Sequence, residues 1–285
     1  MVEIRAREPL CGADTDALAR CARDEAAWRA LPKLGEARRS SVARLRLSAG
    51  PVVVKRYCDP GAFRLLTFAR RSRAEREARA LDLVGAALPE NSVRALAWSA
   101  DRRFGFVARS WLVTAEFEQS FDLRRIKTLR APERGAALSG VLDQLPRVVA
   151  RLHARGIFAV TLRGKNVLLQ PGTGRIALID LPYARVVAKL GARHRVRDLA
   201  ILSLELRKFL DEPEWNQFLA RYRAAASELG AADADRISAE RVARVAARAG
   251  HQTPFSAAAK RAKRRFRHSR IGEWVTGHRS EEASD

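Results

Sequence analysis

Residues 152–185, LHARGIFAVTLRGKNVLLQPGTGRIALIDLPYAR, constrain the fold more than any other part of this 285-residue chain. The stretch reads as a helix end, a short loop, a tight hairpin and a second loop. Leu152, His153 and Gly156 close the helix, with Gly156 just beyond its C-cap. Val167–Leu169 and residues 176–179 are short apolar, partly β-branched runs around Pro171-Gly172-Thr173-Gly174, the pattern of a β-hairpin. The open end of that hairpin brings Asn166 and Asp180 together. One amide oxygen and one carboxylate then face the same small volume, and hard divalent cations take such oxygen ligands together with substrate phosphates.

The spacing is similar to that of a protein-kinase catalytic segment, in which a loop Asp acts as base and a later Asn and Asp hold magnesium. The aligned residues are Ala159-Val160-Thr161-Leu162-Arg163-Gly164-Lys165-Asn166, followed by Asp180-Leu181-Pro182. Leu162, Asn166 and Asp180 keep the pattern. Ala159 stands at the His position and Thr161 at the base position, and a neutral hydroxyl does not accept a proton at pH 7 as a carboxylate does. The metal half of the pattern is retained and the base half is not.

Upstream, residues 14–31 have helical spacing at Leu18, Cys21, Ala22 and Trp28. Residues 40–47 and 51–57 are strand-like runs around Ser48-Ala49-Gly50, and the second contains Val52-Val53-Val54-Lys55. Residues 72–84 return to helical spacing, with Glu75 and Glu77 near the start. A strand Lys that binds nucleotide phosphates and pairs with a Glu of the next helix is a kinase feature, and Lys55 and Glu77 follow that order, with Glu75 as the competing partner. The plain alternatives are a solvated strand-end lysine and a surface i,i+4 partner for Arg. Short strands are expected at 93–98, 103–107 and 111–114, and a hinge at 115–120. Helices are expected at 123–130, 137–153, 197–210 and 214–229.

The net charge is +22, which implies attraction to nucleic acid, an anionic membrane or a phosphorylated substrate, the plain alternative being a genome-wide bias to Ala and Arg with no partner behind it. Aromatic residues make up 7% of the chain and are not interleaved with the basic runs, which disfavours nucleic acid as the partner. The basic run from Lys260 to Arg270, with Phe266 and then Trp274, reads either as a segment lying on anionic lipid or as a solvated tail. Cys11, Cys21 and Cys58 have no metal-ligand spacing, and their odd number argues against a disulfide framework. With charge from the third residue and no long apolar run, neither a signal peptide nor a membrane span is expected. A cytoplasmic protein follows, with peripheral contact at the inner membrane face as an option.

Taken in order, Ser40-Ser41-Val42, Val53-Val54-Lys55-Arg56-Tyr57, Arg71-Ser72-Arg73-Ala74 with Glu77 and Leu81, Leu112-Val113-Thr114, and Leu152-His153 with Gly156 resemble the bacterial lipopolysaccharide kinase family. That family includes the heptose and Kdo kinases of the lipopolysaccharide core. The likeness runs from Ser40 to Tyr222 and rests on order and spacing. It implies an α+β, two-lobed protein-kinase-like fold, with a small antiparallel-sheet N-lobe, a mostly helical C-lobe and ATP in the cleft between them. The corresponding divisions are a helical extension at 1–37, lobes at 38–116 and 117–255, and a basic tail at 256–285.

By the same resemblance Lys55 holds the nucleotide phosphates and Glu77 orients it. Ser40, Ser41 and Glu116 lie on the nucleotide side, Asn166 and Asp180 bind Mg²⁺, and Thr161 occupies the degenerate base position. Asp198 is similar to the Asp that braces a kinase catalytic loop, its alternative being a helix N-cap. A glycine-rich loop is missing near residues 35–42, and Pro182 stands where kinases have Gly. The expected function is transfer of phosphate from Mg·ATP to a glycolipid sugar hydroxyl. The alternative is a pseudokinase, a nucleotide-binding or structural regulator.

Overall fold

The computed structural model describes residues 4–7, 11–37, 39–58 and 67–250. The basic run from Lys260 to Arg270 lies outside them, as do Phe266 and Trp274. By contacts the chain divides into two compact units. One holds the described residues through Ala78 together with Ala95–Ala115, and the other holds Arg79–Arg94 together with those from Glu116 onward.

The first unit is built on a β-sheet whose central strand alternates as a half-buried strand should. Its strands are β1 (Ile4–Ala6), β2 (Lys33–Ala37), β3 (Ser40–Leu47), β4 (Gly50–Cys58), β5 (Ala95–Arg103) and β6 (Phe106–Ala115), antiparallel throughout in the order β1-β5-β6-β4-β3-β2. Val52 and Val54 point to one face of β4. There they pack with Leu18 and Cys21 of helix α1 (Gly12–Arg23) and Trp28 of helix α2 (Glu25–Ala30). Helix α3 (Arg73–Ala87) begins in this unit and continues into the next.

The second unit is mostly helical. Its helices are α4 (Ala131–Ala154), α5 (Ala192–Leu206), α6 (Glu212–Glu228) and α7 (Ala239–Gly250), with α4 against α6 and α5 against α7. Short strands β7 (Phe121–Asp122), β9 (Val167–Leu169) and β10 (Ile176–Leu178) form one small sheet. Strands β8 (Ile157–Phe158) and β11 (Arg185–Val186) form a two-stranded ribbon. Leu145, Val149, Leu199, Trp215, Phe218 and Tyr222 fill the core. A reciprocal cap starts α6: Asp211 accepts from the Glu214 N–H at 2.8 Å, and Glu214 accepts from the Asp211 N–H at 2.9 Å. Among the described residues no helix is long and apolar enough to cross a membrane.

The hairpin expected around Pro171–Gly174 forms, with Leu169 opposite Ile176 and Gly174 at φ 67°. The three short strands expected between 93 and 114 are instead two long ones. Arg103 pairs with Phe106 across a two-residue turn in which Phe104 and Gly105 both have positive φ, 52° and 81°. Such a turn usually carries Asn-Gly, and Phe in the first place hides the signal. The first 37 residues contribute β1 and β2 to the two sheet edges as well as α1 and α2. β2 is exposed along its length, so no apolar alternation marks it. Residues 123–128 form a short 3₁₀ helix. Helix α7 was not foreseen, because its buried face is built of small residues and valines scattered among arginines.

Trp215 is 1% exposed and Phe104 is 95% exposed. Trp215→Ala is expected to lower the stability of the second unit by about 3–5 kcal/mol. Phe104→Ala should change stability by no more than about 0.5 kcal/mol. Urea denaturation of the two variants checks both.

Candidate functional site

In the first unit, strand alternation places Lys55 and Tyr57 two residues apart on one face of β4. Both reach Glu77 of α3. The Lys55 ammonium donates to the two carboxylate oxygens at 3.1 and 3.0 Å, and the Tyr57 hydroxyl donates to Oε2. Glu77 is 4% exposed, so the ion pair is held out of bulk water. The Arg73 guanidinium lies 4.6 Å from the Tyr57 ring centre. Glu75 takes a different course. Its N–H donates to Ser72 Oγ at 3.0 Å and its carboxylate pairs with Arg71 at 3.6 Å.

Cross-strand register sorts the two serines of β3. Ser40 is opposite Tyr57 and Val42 opposite Lys55, so Ser40 shares the Lys55 face. Ser41 is opposite Arg56 and faces the other side, where its buried Oγ has no hydrogen-bond partner. Glu116 follows directly on β6, is partly buried and begins the second unit.

In the second unit, the loop after β8 takes an unusual path. The Thr161 N–H bonds to the Ala159 carbonyl at 2.7 Å, closing a three-residue turn around Val160 at φ 66°. A β-branched residue at positive φ is strained, typically by about 1–3 kcal/mol. The turn is held by Asp198, which is fully buried in α5. Its carboxylate accepts from the Ala159 N–H at 2.8 Å and the Val160 N–H at 2.9 Å. Asp198 therefore braces the loop and is no N-cap, since α5 starts at Ala192 with Gly191 as its cap residue.

His153 of α4 joins the same group, its Nε2 lying 3.3 Å from Asp198 Oδ2 and its Nδ1 2.7 Å from the Tyr222 hydroxyl. Tyr222 donating to Nδ1 leaves Nε2 as the protonated nitrogen that faces Asp198. Burial, opposed by a hydrogen bond from Arg195, pushes the Tyr222 hydroxyl up to about 12. Sequence assigns no site role to Tyr57, His153, Tyr222 or Arg195, because only the fold makes them neighbours of the marked residues.

The loop then enters a short 3₁₀ turn, Gly164–Asn166. A Cβ at Gly164 would lie 2.9 Å from the Glu205 side chain, so the approach to α5 requires glycine. Asn166 donates its two amide hydrogens to the Thr161 carbonyl at 2.9 Å and the Asp180 carbonyl at 3.0 Å. Asn166 Oδ1 is left buried with no partner, and so is Thr161 Oγ1. Asp180 itself has φ 51° and lies 3.8 Å from the Lys165 ammonium. Pro182 occupies the second position of a turn closed by the Ala184 N–H to the Leu181 carbonyl at 2.9 Å, which suits its fixed φ.

The structure thus joins Lys55 to Glu77 within the first unit, and Thr161, Asn166 and Asp180 to one loop system within the second. Asp198→Asn replaces an acceptor by a donor opposite one backbone N–H, and it should cost about 1–3 kcal/mol. Faster hydrogen exchange at the Ala159 and Val160 amides, with little change on β4, is the expected signature.

Comparisons with known proteins bear on the family and the fold. Residues 64–222, more than half of the chain, match the Lipopolysaccharide kinase (Kdo/WaaP) family. The match begins after Lys55, so β3 and β4 lie outside it. A search of curated proteins returned no match. Among solved structures, the chain is similar to WaaP in complex with acyl carrier protein, at 20% identity and a TM-score of 0.52, over 87% of this chain and 98% of that one. At that identity the likeness is one of fold, and it makes the antiparallel sheet and helical second unit a kinase-like architecture. On the extent of the profile match, the chain belongs to the lipopolysaccharide kinase (Kdo/WaaP) family.

Proposed function

We propose that the chain is an ATP-dependent sugar kinase that transfers the γ-phosphate of Mg·ATP to a hydroxyl of a lipopolysaccharide-core glycolipid. The observation that carries this reading is the Asn166 amide. Both of its hydrogens are committed to backbone carbonyls, one of them that of Asp180, and its buried oxygen has no partner. That oxygen and the Asp180 carboxylate are a donor set of the kind magnesium takes when phosphate oxygens complete its shell. Among the described residues no group of three or more His, Cys, Asp or Glu could hold a metal, so a cation here depends on oxygens brought by the nucleotide.

When bound, magnesium supplies charge stabilisation to the phosphoryl group being transferred. Lys55, oriented by Glu77 and Tyr57, donates to phosphate oxygens. Ser40 and Glu116 remain nucleotide-side candidates. The Thr161 hydroxyl, buried and without a partner, is neutral and does not remove the acceptor's proton at pH 7. Phosphoryl transfer is commonly loose, so positioning and electrostatics carry most of the acceleration and the proton passes late to the transferred phosphate. The charge of +22 and the basic run from Lys260 to Arg270 suit an anionic glycolipid at the inner membrane surface.

A second reading, a nucleotide-binding pseudokinase, is favoured by Thr161 alone. The residue at the base position has an unpartnered neutral hydroxyl, and a positioned acid–base group is typically worth about 10²–10⁴-fold.

Mg·ATP is expected to raise the melting temperature of the wild type, as ligand at 100 times Kd stabilises by about 2.7 kcal/mol. Asp180→Ala should abolish the magnesium-dependent part, and absence of any shift at millimolar Mg·ATP would remove the kinase reading. Thr161→Asp should raise phosphate transfer by about 10²-fold or more if only the base is lacking. Binding without turnover in both forms identifies the pseudokinase. Tyr57→Phe removes one donor from Glu77 and should weaken Mg·ATP binding by about tenfold, with Lys55→Met weaker still in the same titration.

A further inference from the structure

Helix α5 starts at the edge of a cavity of about 650 Å³, lined by residues 189–195 and by parts of 230–241. The volume is in the range of small-molecule sites. Lys189, Arg193, Arg236 and Arg241 all stand on its wall. Among the described residues of the wall the one carboxylate, Asp233, is already engaged by Arg195, whose Nε lies 3.3 Å away. Four cations therefore share the cavity with no carboxylate left to oppose them.

Two deeper groups on the wall each keep a buried nitrogen without a hydrogen-bond partner. Arg195 is 6% exposed, and its Nη1 has no hydrogen-bond partner. His194 Nδ1 is buried and likewise without one. A buried guanidinium N–H with no acceptor is costly, and an anionic oxygen is the partner that removes the cost. The backbone adds to the same field. α5 runs for 15 residues, its cap residue Gly191 offers no side-chain acceptor, and no acid occupies its first turn. The positive end of the helix is thus left to a ligand. The surroundings also act on His194, which burial first, and then the charges of Arg193 and Arg185, hold below the usual imidazole range.

We propose that this cavity is an anion-binding site that takes a phosphate monoester group. Several separate cations around one space suit a dianion better than a single carboxylate, and the volume leaves room for what carries the phosphate. The site stands whether or not the chain transfers phosphate. It also adjoins the loop described above: the Arg195 charge acts on Tyr222, Tyr222 bonds His153, and His153 faces Asp198. The His194 ring meets Phe158, the last residue of β8, edge-on at 5.0 Å.

The test is a titration of the full chain with inorganic phosphate, glucose 6-phosphate and glucose, followed by calorimetry, together with flotation on phosphatidylcholine vesicles with and without phosphatidic acid. Saturable binding of glucose 6-phosphate but not glucose is expected. The double variant Arg193→Ala/Arg236→Ala, at two exposed positions, should weaken it by about tenfold or more. The double variant Arg29→Ala/Arg147→Ala removes the same charge elsewhere and should leave it unchanged. Asp180→Ala should also leave it unchanged, which separates this site from the nucleotide site. Binding of phosphatidic acid vesicles alone, lost in the first double variant, assigns the same phosphate chemistry to a lipid headgroup. No saturable phosphate-dependent binding, or equal losses in the two double variants, would overturn the proposal.

Discussion

Two hydrogen bonds into one buried carboxylate hold the second unit's loop after β8 in a shape that its sequence does not favour. Val160 at φ 66° is strained, and nothing in Ala-Val-Thr asks for that conformation. Asp198 pulls both neighbouring N–H groups onto its oxygens, and bonds to a charged acceptor, at about 1.5–3 kcal/mol each, outweigh the strain. A carboxylate at zero exposure would be intolerable without such donors, so the dependence runs both ways. The carboxylate needs the loop's N–H groups, and the loop needs the carboxylate. Downstream, Thr161, Asn166 and Asp180 take their places from that turn.

The first unit applies the same logic to a charge pair. Lys55 and Glu77 are both largely removed from water, and Tyr57 and Arg73 complete the surroundings of the carboxylate and the ring. Glu75, two residues earlier, pairs at 3.6 Å with an exposed Arg71. The difference follows from helix geometry: residues two apart point about 200° apart around the axis, so one of the two glutamates faces the sheet and the other turns away.

Linear spacing marked Asn166 and Asp180, because the hairpin between them is short and its turn is rich in Gly and Pro. The Lys55 and Glu77 pairing is legible as an order of elements, with Glu75 as a competitor that the sheet face sets aside. Ser41 was placed with Ser40 because register is invisible in one strand, and pairing with Arg56 turns it away from Lys55. The edges of the first sheet were not legible at all. β1 has three residues and β2 is exposed at every position, so neither carries a hydrophobic period. Asp198 was marked but its role was undecided, since bracing and capping differ only in what the carboxylate meets. The cavity beside α5 was hidden for a broader reason: its cations come from separate stretches of a chain in which arginine is everywhere.

The Asn166 side chain also limits how this protein can change. Its site uses two hydrogens and leaves one oxygen over, and only a carboxamide on a short stem offers that combination. Aspartate, with a stronger attraction for a divalent cation, would set its second oxygen against two backbone carbonyls and lose the loop in gaining the charge. Histidine and serine lack the second donor. Thr161 has no such ties, because its hydroxyl is uncommitted. The two positions that differ most in their fidelity to the kinase pattern therefore also differ in freedom. One is fixed by the architecture around it, and the other is left open to drift or to selection.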